Sequence, residues 1–131
     1  MIWGKDLSAR QLSILDKLPG YGSSEVFKKR DVSMIDLAAL TANTGHEFAM
    51  FTRSAERLVI RGNAKRVPLN ESNLIKLRDD GYRWSGHTHP GSQLVDLESS
   101  DGDKETLRIF NQANSVIYNA TGKHRLIYPQ E

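Results

Sequence analysis

The sequence predicts a single mixed α/β domain, in which helices flank one central sheet and a short helical segment precedes it. Three observations indicate this class. Helix-type periodicity with capping residues dominates before residue 46, strand-type alternation begins at residue 47, and helical patterns return between later strands. The 131 residues are enough to bury a hydrophobic core as one domain.

Two helical segments come first. Residues 8–20 begin at Ser8, a favourable N-cap, and end at a Pro-Gly pair, while residues 33–45 end at Gly45. Between them, residues 21–30 combine glycine, serine and basic residues without periodicity, which predicts a linker. The predicted buried side of the first helix consists of Leu12, Leu15 and Leu18.

The rest of the chain alternates between strands and helices. Residues 47–62 contain two strand-type runs separated by a polar turn, which predicts a β-hairpin. Residues 63–69 could add a short third strand, although Pro68 limits its pairing. The remaining predictions are a helix at 70–81, a strand at 82–89, a helix that starts near residue 100 and a closing hairpin at 115–128.

Composition narrows the possible functions. The chain has no cysteine, so a metal site must be built from His, Asp and Glu side chains. No apolar run approaches the roughly 20 residues that a membrane span needs, and the N-terminus lacks the apolar region of a signal peptide. A net charge of +2 does not by itself predict nucleic-acid binding.

The motif His87-Thr88-His89 is the strongest chemical signal in the chain. In a strand, residues i and i+2 point to the same face, so both imidazoles can approach one ion. Zn²⁺ needs a third protein ligand, and Asp101 and Asp103 are downstream carboxylates that could supply it. The spacing from Ser100 to Asp103 also fits a helix capping box, which needs no metal.

Taken together, these motifs resemble the JAMM (JAB, MPN-plus) metalloprotease superfamily, whose pattern is an upstream Glu, then His-x-His, then a Ser and an Asp. The resemblance implies a JAB-like fold with a curved mixed sheet. It also implies Zn²⁺ held by His87, His89 and Asp103, with Glu47 as general base and Ser100 stabilising the oxyanion. Each role is chemically reasonable for the hydrolysis of a peptide bond.

One spacing departs from that pattern. Residues 90–99 separate His89 from Ser100, which is longer than is usual in the family. Shifting the serine to residue 99 would place a glycine where the aspartate belongs, so Ser100 with Asp103 is the better register. Asp96 and Asp101 are the alternative third ligands, and residues 91–99 are an insert that could shape substrate access.

A wider resemblance covers roughly residues 30–128 and is to the JAB-like C-terminal domains of bacterial polymorphic toxins of the contact-dependent inhibition and Rhs types. It implies residues 1–30 as a connecting segment and residues 31–131 as the toxin domain. It further implies secretion as part of a larger effector, action on a protein or peptide in the target-cell cytoplasm, and a cognate immunity protein.

Two other functions compete with a zinc peptidase. A nuclease toxin could use His87, His89 and Ser100 as acid-base groups without metal, and would bind nucleic acid. Alternatively, a binding module of the same fold could act by contact alone. The peptidase predicts bound zinc and loss of activity on chelation, whereas the other two do not.

Overall fold

The computed structural model describes residues 6–130 and confirms a mixed α/β fold. The described part of the chain contains four α-helices and a six-stranded sheet, with short helical turns between them. The helices are α1 (Ala9–Asp16), α2 (Met34–Thr44), α3 (Glu71–Asp79) and α4 (Asp101–Ile109). The strands are β1 (Ser24–Lys28), β2 (Phe48–Arg53), β3 (Glu56–Arg61), β4 (Arg83–Thr88), β5 (Ser115–Tyr118) and β6 (His124–Ile127).

The sheet has the strand order β1-β3-β2-β4-β5-β6. All neighbouring pairs are antiparallel except β4 and β5, which run parallel. A parallel pair requires a crossover connection, and α4 lies within it, so β4, α4 and β5 form a β-α-β unit. The end of β4 and the start of α4 are therefore consecutive parts of this unit.

Helices cover both faces of the sheet. On one face, α1 and α2 pack against strand residues such as Phe48 and Met50. On the other face, residues of α3 and α4 pack against Phe51 and Trp84. Side chains of β2 thus alternate between two cores, as the two-residue repeat of a strand requires. The predicted central sheet with flanking helices is confirmed.

The predicted helix caps are present. Ser8 caps α1 through a capping box with Gln11, and Gly45 ends α2 in the left-handed conformation, with φ of 74°. The predicted buried side of α1 is wrong at one position, because Leu12 is 51% exposed and Ile14 is buried instead. Leu18, just beyond the helix, is fully buried as predicted.

The prediction of a linker at residues 21–30 is wrong, because Ser24–Lys28 forms the edge strand β1 and pairs with β3. Only Phe27 of this strand is buried, so the segment lacks the alternating apolar pattern by which a strand is usually predicted. An exposed lysine is usual on edge strands, where charge discourages pairing with other chains. The division of the chain at residue 30 stays a prediction, and residues 1–5 lie outside the described part.

The possible third strand at residues 63–69 is also wrong. The segment folds as a tight turn in which the Asn63 backbone N–H donates to the Arg66 carbonyl at 2.9 Å. A side chain at Gly62 would overlap that same carbonyl, so this turn requires glycine. Among residues 6–130, no helix is both long and apolar enough to cross a membrane.

Candidate metal centre

A cleft of about 360 Å³ opens between the sheet and the start of α4. Glu47, Ala49 and Phe51 line it from β2 and the residue before β2, because alternate residues of an extended chain share one face. Ala49 pairs with His87 on the neighbouring strand β4. The pairing places Glu47 and the histidines around the same space.

A β-bulge shapes the β4 side of the cleft. Met50 pairs with Gly86 but Phe51 pairs with Trp84, so Ser85 is an extra residue on β4. In a regular strand, Trp84 and His87 would point to opposite faces. The bulge turns both toward the cleft, where their rings stack with centroids 4.9 Å apart.

Three predicted ligands converge in this cleft. The Nε2 atoms of His87 and His89 are 3.0 Å apart. Nε2 of His87 lies 3.0 Å from Oδ1 of Asp103, and Nε2 of His89 lies 3.6 Å from Oδ2. One ligand atom from each residue falls within 4.8 Å of the others, so the group could hold a metal ion.

The spacing of these atoms fits a small tetrahedral ion. Zn²⁺ bonds of roughly 2.0–2.1 Å at tetrahedral angles separate neighbouring ligand atoms by about 3.3 Å. The two Nε2 atoms lie 3.0 Å apart, as do His87 Nε2 and Asp103 Oδ1, and His89 Nε2 lies 3.6 Å from the second oxygen, Oδ2; each separation is close to that value. Among residues 6–130 the group has three protein donors, one fewer than the four of a closed structural zinc site.

A hydrogen bond defines the tautomer of His89. Its Nδ1 lies 3.0 Å from the backbone carbonyl oxygen of Asp96, which can only accept. Nδ1 therefore carries the proton, and neutral His89 presents the lone pair of Nε2 to the site. Metal-binding histidines commonly make this type of bond through their other nitrogen. Burial, and then the neighbouring His87, lower the pKa of His89, which favours this neutral form.

His87 is held differently. Its side chain is only 4% exposed, and its Nδ1 has no hydrogen-bond partner among the described residues. Stacking on Trp84 and the contacts of Nε2 with Asp103 and His89 therefore orient the ring.

The insert at residues 91–99 is an ordered part of the site. Leu97 is buried in the core, and a short 3-10 helix at Leu94–Leu97 brings the Asp96 carbonyl to His89. Gly91 has φ of 111°, and a Cβ atom there would overlap the Asp96 carboxylate. Only glycine permits this close approach, so the Pro-Gly turn after the histidines helps to position one of them.

Asp103 is held by the first turn of α4. Its Oδ2 accepts from the Ser100 backbone N–H at 3.0 Å, and Ser100 Oγ accepts from the Asp103 N–H at 3.0 Å. Burial by itself raises the pKa of Asp103, but the hydrogen bond and charge of His87, the Ser100 N–H and His89 together lower it. The capping box formed by Ser100 and Asp103 thus also holds Asp103 in its position as a candidate ligand.

The alternative third ligands do not join the group. The carboxylate of Asp96 accepts from the Gln93 N–H at 2.9 Å and caps the 3-10 helix. Asp101 is exposed at the start of α4 and does not line the cleft. Ser100 does line it, and its hydroxyl hydrogen remains available because Oγ acts as an acceptor in the cap.

Glu47 lies in the cleft beside the ligands and is 9% exposed. Burial raises its pKa from 4.5 to about 7, with the charge of His87 opposing and that of Asp103 adding to the effect. A carboxylate with this pKa can accept and release a proton near neutral pH.

Thr88 links the start of β2 to the end of β4 beside the site, a role that the sequence did not reveal. Its Oγ1 accepts from the Phe48 backbone N–H at 2.9 Å and lies 2.5 Å from Oγ1 of Thr41. A side chain thereby replaces a backbone bond at the end of the ladder. The middle residue of the His-x-His motif points away from the metal ligands, and its full burial is the signal of a structural role.

Comparison of the chain with protein-family models, with curated proteins and with solved structures finds no match.

Proposed function

We propose that this protein is a Zn²⁺-dependent hydrolase that cleaves a peptide or isopeptide bond. The observation that carries the proposal is the convergence of His87, His89 and Asp103 at ligand spacing in a cleft that also contains the buried Glu47. A structural metal site would have no need for an unligated carboxylate with a raised pKa. The combination is instead typical of a site that activates water.

When bound, a Zn²⁺ ion supplies Lewis acidity, which activates water at neutral pH and polarises a carbonyl group. His87, His89 and Asp103 would hold the ion. Glu47 would accept a proton from the attacking water and pass it to the leaving amine. Ser100 would donate its hydroxyl hydrogen toward the negative charge that develops on the carbonyl oxygen.

Metal content is the first test. We expect about one equivalent of zinc in the purified wild-type protein and loss of that zinc in His89→Ala. His124→Ala is the matched control, because His124 is an exposed histidine of β6 outside the cleft. Plasma mass spectrometry measures both variants. Equal metal content in wild type and His89→Ala would contradict the assignment.

Turnover is the second test. A peptide library treated with the zinc-loaded protein and analysed by mass spectrometry should show cleavage that a chelator abolishes. Glu47→Gln should retain zinc but lose roughly 10²- to 10⁴-fold in rate, since it removes the proton acceptor and no ligand. Cleavage that persists in Glu47→Gln would show that this carboxylate is not the general base.

We further propose that the hydrolase acts as a bacterial effector in the cytoplasm of a competing cell, paired with an immunity protein. The support is the resemblance of its motifs to polymorphic toxin domains. Expression in a bacterial host should inhibit growth for wild type but not for His89→Ala. Degraded RNA or DNA, with inhibition that survives loss of the metal, would favour the metal-free nuclease instead.

A further inference from the structure

The cleft holds more than the residues proposed to perform the reaction. Its inner wall is apolar and includes Phe51, Leu74 and Trp84, which are at most 6% exposed. Val67 and Leu69 extend this wall toward the solvent. An apolar pocket that opens beside the candidate metal centre can take up an aliphatic or aromatic side chain of a substrate.

Two basic side chains lie at the same cleft. Lys65 and Arg66 line it and are exposed, and neither forms a salt bridge within residues 6–130. Their backbone is held in place, because both N–H groups donate to Oδ1 of Asn63, at 2.9 and 3.0 Å. Together with the glycine-dependent turn at Gly62, these bonds fix the backbone positions from which the two side chains extend.

The two cations have no acidic partner on their own wall. The acidic residues among the lining are Glu47 and Asp103, and Asp103 is already bonded to His87. Opposite charge from a bound molecule would therefore be the natural complement of Lys65 and Arg66.

We propose that the cleft selects peptides in which an apolar side chain lies next to a carboxylate, with the side chain on Phe51 and Leu74 and the carboxylate on Lys65 and Arg66. The inference rests on the proposed peptidase function and specifies its substrate class. The carboxylate can come from a Glu or Asp side chain or from a peptide C-terminus, because both present the same group to the two cations.

Equilibrium binding tests this selection without turnover. The full chain carrying Glu47→Gln is titrated, with Zn²⁺ present, into fluorescein-labelled tetrapeptides whose central leucine is followed by glutamate or by glutamine. The C-terminus is amidated in one series and free in the other. A labelled oligoribonucleotide serves as the nucleic-acid probe, and anisotropy reports binding.

We expect either carboxylate to tighten binding about two- to fivefold over the neutral amidated peptide, which is within the range for exposed charge pairs. The double variant Lys65→Gln/Arg66→Gln should remove that advantage, and raising the salt concentration should reduce it. The matched control is Lys29→Gln/Arg30→Gln, which changes the net charge equally at an exposed Lys-Arg pair outside the cleft. This control should bind as the parent does.

The comparison of the two series identifies the source of the carboxylate. Preference for the glutamate peptide indicates an internal acidic residue, and preference for the free acid indicates a C-terminus. Equal binding of acidic and neutral peptides, or no peptide binding, would overturn the selection. Tight binding of the oligoribonucleotide that depends on Lys65 and Arg66 would overturn it in favour of a nucleic-acid backbone. Absence of zinc or of cleavage tests the hydrolase separately.

Discussion

Replacing Glu47 with glutamine should stabilise the metal-free protein, and should do so more at high pH than at low pH. Burial raises the pKa of Glu47 from 4.5 to about 7, so the folded state binds this proton more tightly than the unfolded state does. The stability that the proton contributes is fully present below the unfolded pKa. It is lost as the pH rises through the folded value.

The magnitude follows from the two pKa values. Relative to low pH, linkage gives a loss of stability of about 3 kcal/mol at pH 8 and of about 1 kcal/mol at pH 5, where Glu47 is protonated in the folded state but partly ionised in the unfolded state. A glutamine does not ionise, so the Glu47→Gln variant loses no stability in this way at either pH. The difference in free energy of unfolding between Glu47→Gln and wild type should therefore grow by about 2 kcal/mol from pH 5 to pH 8.

Urea unfolding in the presence of a chelator measures this difference at both pH values. Glu98→Gln is the matched control, because Glu98 is exposed and outside the cleft. Saturating Zn²⁺ should reduce the pH dependence of the stability difference between Glu47→Gln and wild type, since a nearby cation favours the ionised carboxylate. A stability difference that stays constant between pH 5 and pH 8 would refute the assignment of a raised pKa to Glu47.

Three further substitutions test the supports of the site. Gly91→Ala should weaken Zn²⁺ affinity about tenfold, because it would displace Asp96 from His89. Isothermal titration calorimetry measures this affinity, and an unchanged value would contradict a positioning role for the turn. Thr88→Val should lower the free energy of unfolding by about 1–3 kcal/mol, because it leaves a buried backbone N–H unpaired, and an unchanged urea midpoint would argue against that bond. Gly86→Ala should lower the free energy of unfolding by about 1–3 kcal/mol, since the added methyl group would lie 2.7 Å from the Val116 side chain on β5. An unchanged urea midpoint would mean that β4 and β5 can move apart without cost.

Local patterns predicted the two halves of the candidate site separately, whereas the family resemblance predicted that Asp103 would join the histidines. The same-face placement of His87 and His89 follows from strand geometry, and the pairing of Ser100 with Asp103 follows from helix capping. Both depend only on residues within a few positions of each other. The main helices, the two hairpins and the strand before His89 were predictable for the same reason.

Features that depend on distant partners were not predictable. Strand β1 has one buried residue, Phe27, and its place at the edge of the sheet depends on backbone pairing with the distant strand β3. The bulge at Ser85 is defined by the pairing of β4 with β2, so the sequence of β4 alone does not predict it. The bond from His89 to the Asp96 carbonyl uses a backbone atom, which is the same in every residue type.

The β-α-β unit has a consequence for the order of folding events. The histidines and Asp103 are brought together only after α4 has docked across the sheet, whereas the β2–β3 and β5–β6 hairpins need only local contacts. An unfolded chain would offer a metal ion little more than the two histidines. Bound zinc would therefore act mainly on the unfolding rate, and would lengthen the lifetime of the native state more than it would speed its formation.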